Sequence, residues 1–118
     1  MAHKIAIVIY SSLKGDGVSA NFRAYNFAEE LLDAGDDVVM VFDGAGSKAL
    51  AEVLDSDQLV AKAFAKARPA LGGVCEYCSK AYKVHDDLDD HDIPMLGGFK
   101  GHISMRRFLE EGRQIVTF

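Results

Sequence analysis

Two cysteines three positions apart, Cys75 and Cys78 in "GGVCEYCSK", are the residues of this chain most able to do covalent chemistry, and it has no other cysteine. A thiolate is both a nucleophile and a metal ligand. If a helix starts at or near Cys75, its sulfur meets unpaired backbone N–H groups and the positive end of the helix dipole, which favour the anion. A free thiol titrates at about 8.5, and settings of this kind bring it several units lower. The spacing puts Cys78 on the same helix face, roughly 5–6 Å away between Cβ atoms, so the second sulfur can attack a persulfide or sulfenate formed on the first. Core filling is the plain alternative, because free cysteine is among the most buried residue types. The strand-to-helix position, and the glycines at 72 and 73 that permit close backbone approach, favour chemistry.

A CxxC pair near a βαβ unit is also the mark of a dithiol–disulfide couple. Here two α/β units precede the pair and no Trp stands before it, an order that fits such a couple poorly. A structural zinc site needs four ligands. The sequence offers one CxxC, and His85 and His91 stand at spacings that match no finger pattern, so no metal is expected unless subunits share ligands. His102, after "GGFKG" at the expected start of the last helix, is placed to stabilise the Cys75 thiolate or relay a proton; local packing is its structural alternative. Arg106 and Arg107 are expected to face solvent or a neighbouring subunit, from where they can attract an anionic sulfur compound.

Two further stretches invite comparison with ligand loops. "SSLKGDGVS" (11–19) follows a strand and precedes a helix, as a phosphate loop does. It lacks the GxxxxGK[ST] pattern, and Asp16 puts a negative charge where phosphate belongs, so no cofactor is expected and a connecting loop bordering the thiol pocket is. "HDDLDDHD" (85–92) lacks the order of a calcium loop and reads as a solvated acidic connector, with His85 and His91 at the surface.

These residues are positioned by a regular alternation of elements. "KIAIVIY" (4–10) is a continuous apolar run, the pattern of a parallel strand covered on both faces. "ANFRAYNFAEELLDAG" (20–35) predicts a helix with Phe22, Tyr25, Ala28 and Leu32 inward. "DVVMVF" (37–42) is a second strand, after which Ser47 is expected to cap a helix to 54; "SDQLVAKAFAKAR" (56–68) is helical up to Pro69. "ALGGV" (70–74) is a third strand and "CEYCSKAYKV" (75–84) a helix. "IPMLGG" (93–98) holds a brief fourth strand, "HISMRRFLEEG" (102–112) a helix with Ile103, Phe108 and Leu109 inward, and "RQIVTF" (113–118) the last strand. The fold class implied is α/β, a three-layer α/β/α domain with a mainly parallel sheet of about five strands. In such sheets ligands gather beyond the carboxyl ends of the strands, and Cys75, "SSLKGDG" and "GGFKGH" all fall there.

The totals agree with a single domain over residues 1–118. Hydrophobic residues make up 49% and charged residues 26%, an ordinary globular balance. Thirteen basic against eighteen acidic residues give a net charge of -5, which argues against direct binding to nucleic acid or anionic lipid. The apolar run after Lys4 lasts six residues, too short for a secretion signal or a membrane span. A cytoplasmic protein with reduced thiols is expected.

The pieces "IAIVIYSS", "RAYNFAEELLDAG", "DVVMVFDGAG", "GVCEYCSKAY" and "GHISMRRFLEEGRQIVTF", in this order, resemble the DsrE/DsrF-like family, which includes the YchN-like proteins. The resemblance runs over essentially the whole chain, and its most specific parts are the cysteine at the turn and the closing helix and strand. It implies that Cys75 carries sulfur as a persulfide and passes it from a donor to an acceptor, as protein partners or small sulfane-sulfur compounds. It also implies a homo-oligomer, trimeric or hexameric. Cys78 has a counterpart in part of the family. Other functions compatible with the residues are a non-catalytic oligomeric domain binding a small ligand or partner, and a CxxC dithiol reductase.

Overall fold

The computed structural model describes residues 2–118. Strands β1 (Lys4–Ile9), β2 (Asp37–Phe42), β3 (Leu71–Cys75), β4 (Met95–Leu96) and β5 (Gln114–Thr117) form one sheet in the order β4-β3-β2-β1-β5. Every pairing of these strands is parallel, so the expected α/β class is the observed one. Helices α1 (Gly17–Asp33), α2 (Gly46–Leu54), α3 (Leu59–Ala67), α4 (Glu76–Ala81), α5 (His85–Asp90) and α6 (Met105–Glu110) fill the connections, with a 3-10 turn at Arg68–Ala70 before β3.

The strand order decides how the two faces are covered. From β1 to β4 the chain moves one way across the sheet, and right-handed crossovers then put the intervening helices on one face. The step from β4 to β5 runs back the other way and puts α6 on the opposite face. The packing follows: Ile5, Ile7 and Ile9 join Met40, Phe42 and Val74 under side chains of α1, α2, α3 and α5. Ala6, Val8 and Val41 face Cys75, Cys78, Ile103 and Phe108 on the second side. Both sets of β1 side chains are therefore buried, which is why the strand reads as an unbroken apolar run. Each isoleucine so buried contributes about 1.5–3 kcal/mol.

Several elements differ from the sequence expectation. Helix α1 begins at Gly17, and its buried residues are Asn21, Ala24, Tyr25, Ala28 and Leu31; Phe22 and Leu32 are half-buried flanks, because small Ala24 and Ala28 are what let the helix lie close to its neighbours. Ser47 does not cap α2. The helix already starts at Gly46, where a Cβ would stand 2.0 Å from the Ile9 carbonyl oxygen, and the Ser47 hydroxyl is buried without a partner. The segment expected as an acidic connector forms α5, since Leu88 is fully buried among the core residues and Asp86 and Asp87 suit a first helical turn. Helix α6 is shorter than 102–112: Ser104 is its cap, with the Arg107 N–H donating to Oγ at 3.4 Å. Ile103 and Phe108 are buried as expected, whereas Leu109 is 62% exposed. No helix among the described residues is long and apolar enough to cross a membrane.

Candidate functional site

Cys75 ends β3 and caps α4, so the expected strand-to-helix junction is present. Its Sγ accepts the Cys78 N–H at 3.4 Å. Helix α4 has six residues, not the ten of the expected 75–84, and the field at the sulfur is that of the nearest N–H groups rather than of a long helix. The pleat turns Val74 toward the first face and Cys75 toward the second.

His102 arrives from the other side of β4. Lys100 and Gly101 both have positive φ, 52° and 81°, the signature of a type I′ turn, for which glycine is well suited at the second place. Phe99 and His102 close the turn by exchanging backbone bonds of 3.0 and 2.8 Å, and the Tyr77 N–H donates to the Gly101 carbonyl at 3.0 Å. The turn is thus fastened to the start of α4. It sets His102 Nδ1 3.4 Å from Cys75 Sγ and 3.8 Å from Cys78 Sγ. The Tyr77 ring lies over the imidazole, with centroids 4.4 Å apart and planes at 34°. His102 therefore belongs to a tight turn ahead of α6, not to the helix start where the sequence put it.

A fourth residue joins them that the sequence reading did not single out. Asp43 follows β2, is buried, and has Oδ1 fixed by the Gly44 N–H at 2.8 Å. The same oxygen accepts from the Cys78 thiol at 3.4 Å. One ligand-type atom from each of Asp43, Cys75, Cys78 and His102 lies within 4.8 Å of every other. The signal was available: Asp43 stands at the carboxyl end of a strand, the same criterion that drew attention to Cys75. Tyr77 and Tyr10 were also missed. Burial, and then neighbouring Asp43, Cys78 and Cys75, raise the phenol of the exposed Tyr10 above its ordinary value.

Both thiols are buried. Cys75 is 0% exposed and Cys78 8%, because the residue-75 side chain points beneath the first turn of α4 into the second-face cluster. Half-buried His102 stands between Cys75 and the surface tyrosine. Burial is the main cause that pushes the Cys78 thiol up to about 12, helped by its bonds to Cys75 and Asp43 and opposed by the Gly44 N–H. The Cys78 thiol donates to Asp43, and the Cys78 backbone N–H donates to the Cys75 sulfur.

The remaining sequence candidates lie elsewhere. "SSLKGDG" is a connecting loop held by buried Asn21, whose Nδ2 donates to the Ser11 and Gly17 carbonyls at 2.9 and 2.8 Å. Arg106 and Arg107 are exposed and pair with Glu110 and Glu111 at 3.3 and 3.7 Å. Arg107 also borders a cavity of about 330 Å³ between α6 and the sheet, with Val39, Val41, Leu96 and Phe108 in its wall and neither sulfur lining it. His85 and His91 are half-buried rather than fully at the surface; His91 reaches Asp55 at 3.4 Å and Asp87 at 3.9 Å, tying α5 to the end of α2.

No protein-family model matches the chain. A Methanocaldococcus jannaschii protein described as "Uncharacterized protein MJ0733" is 23% identical over 115 residues, covering 96% of this chain and 93% of that one. Among solved structures, the conserved protein of unknown function BT1422 from Bacteroides thetaiotaomicron superposes with a TM-score of 0.66 at 15% identity, over 98% of this chain and 95% of the other. At that identity the likeness is one of fold.

Proposed function

We propose that this chain is a cytoplasmic sulfur-relay domain of the DsrE/DsrF-like kind, a sulfurtransferase or sulfur carrier that works as a homo-oligomer and holds sulfur on Cys75. The observation that carries the reading is the 3.4 Å approach of His102 Nδ1 to Cys75 Sγ, on a sulfur that already accepts the Cys78 N–H. In the tautomer that carries the proton on Nδ1, His102 is a second donor to this sulfur, and two donors favour its thiolate.

The chemistry follows from that arrangement. The Cys75 thiolate attacks a sulfane sulfur, the donor's S–S bond breaks, and the electron pair leaves on the donor fragment, which His102 can protonate. An acceptor nucleophile then takes the outer sulfur and regenerates the thiolate. Alternatively Cys78 attacks the inner sulfur: a Cys75–Cys78 disulfide forms, the two cysteines are oxidised, and the outer sulfur leaves reduced as sulfide. Because Cys75 is fully covered and neither sulfur lines the cavity beside α6, any sulfane donor, small or protein-bound, requires Tyr77 and His102 to move.

Mass spectrometry of the reduced chain after incubation with thiosulfate or polysulfide tests this. Cys75 should gain the mass of one sulfur atom, reversibly by reductant, and the Cys75→Ser variant should not. An unmodified Cys75 under conditions that load a known carrier overturns it. The burial of both thiols and the cavity beside α6 favour a second reading, a non-catalytic domain binding a small ligand. A stable, reversible Cys75–Cys78 disulfide with no added sulfur marks a dithiol reductase instead.

A further inference from the structure

We propose that Asp43, Cys75, Cys78 and His102 form a closed, four-coordinate site for a borderline-soft divalent cation, zinc in the first place. The sequence provides a CxxC and no finger-like partner for it; the fold provides the partners, Asp43 from the end of β2 and His102 from the turn after β4. This inference does not depend on the sulfur-transfer reading.

The geometry is the reason. Zinc sits about 2.3 Å from sulfur and about 2.0–2.2 Å from nitrogen and oxygen, so a tetrahedral site has donor-to-donor edges of roughly 3.4–3.8 Å. Three edges are seen here: Cys75 to His102 at 3.4 Å, Cys78 to Asp43 at 3.4 Å, and Cys78 to His102 at 3.8 Å. The rest are within 4.8 Å. Binding therefore needs small side-chain adjustments rather than a rearrangement of the backbone. Two thiolates and an imidazole select zinc over calcium or magnesium, which take oxygen donors. Both sulfurs bind the metal as thiolates, and each one still protonated gives up its proton to solvent as its metal–sulfur bond forms. The site is also supported from outside: the Gly44 N–H holds the carboxylate, and the Tyr77 ring and the 99–102 turn hold the imidazole. A second grouping of metal-ligand type among the described residues, Asp55, Asp87 and His91, has no thiolate and two exposed carboxylates.

The consequence is a staple across the ends of β2, β3 and the segment after β4 that withdraws both sulfurs from reaction. Cobalt(II) is the probe. Titrated into the reduced, chelator-treated full chain, it should bind one to one, with the intense visible bands of a tetrahedral ion and a near-ultraviolet thiolate-to-metal band, and zinc should displace it. Saturating zinc should raise Tm by about 5–15 °C and protect both cysteines from alkylation. Cys75→Ser, Cys78→Ser and Asp43→Asn should each weaken binding by more than the roughly 10–100-fold that loss of an outer-shell partner costs. Should a variant fail to fold, His102→Gln, in the turn ahead of α6, gives the same comparison. A weak octahedral cobalt spectrum, or equal affinity in wild type and Cys75→Ser, overturns the site. Sulfur loading is measured on metal-free protein, so its failure with cobalt bound, or its success without, separates the two proposals.

Discussion

Nδ1 of His102 and Sγ of Cys75 stand 3.4 Å apart although 27 positions separate them in sequence. The contact exists because β3 and β4 are neighbours and the 99–102 turn folds back on α4. If His102 takes part in sulfur transfer, His102→Gln should slow persulfide formation on Cys75 by about 10²-fold or more, the usual weight of a placed proton donor. Cys78→Ser should leave loading within a few-fold and slow only release as sulfide. Rapid-quench mass spectrometry of the Cys75 peptide separates the steps, and an unchanged loading rate in His102→Gln would remove the imidazole from the chemistry.

Tyr77 forms an outer layer over His102 and, through it, Cys75. Its ring is exposed, yet it covers His102, which in turn covers Cys75. A bulky aromatic disulfide should therefore modify the native, metal-free protein at least about tenfold more slowly than the denatured chain. Tyr77→Ala should recover most of that difference without lowering Tm appreciably, since the ring buries little surface. Tyr77→Phe should behave as wild type. Equal rates in all three proteins would mean that the cover lies elsewhere.

The placement of Cys75 also depends on Gly73, two residues earlier. Gly73 has φ +149°, and a Cβ there would meet the Pro94 carbonyl oxygen at 2.5 Å and Leu96 Cγ at 2.9 Å. Both obstacles belong to the β4 segment, the partner that β3 pairs with through Val74 and Cys75. Gly73→Ala should thus push β4 away, cost about 2–4 kcal/mol and lower Tm by about 10–20 °C. A thermal melt followed by circular dichroism checks it. A Tm within a few degrees of wild type would contradict this account of how the site is assembled.

What the sequence made legible follows from locality. β1 was readable because both faces of a parallel strand are buried, so a run of apolar residues suffices. The Cys75 junction was readable because strand end and helix start are adjacent in the chain. Asp43 and His102 come together with the cysteines only through the β4-β3-β2 order, which no local pattern specifies. In α5 a single Leu88 among acidic residues carries the burial, too little periodicity to distinguish a helix from a loop. Leu109 was misjudged because the six-residue α6 buries Phe108 alone and leaves Leu109 in water.

The buried pair of Tyr25 and Asn21 makes stability sensitive to alkaline pH. The Tyr25 hydroxyl donates to Asn21 Oδ1 at 2.9 Å while Asn21 Nδ2 holds the loop after β1. Burial raises the Tyr25 phenol well above its ordinary value near 10. Below that value both folded and unfolded chains keep the proton and the stabilisation is whole. As pH rises further the unfolded chain gives up its proton and the folded one does not, so stability falls, at up to about 1.4 kcal/mol per pH unit from this group. Tyr25→Phe should cost about 1 kcal/mol at neutral pH through the lost hydrogen bond and should show a shallower decline above about pH 10, where exposed tyrosines and lysines contribute equally to both proteins. Urea unfolding of the two proteins across this range tests the assignment. Parallel declines would mean that another buried acid carries the alkaline sensitivity, and that the loop after β1 is held by Asn21 without help from the phenol.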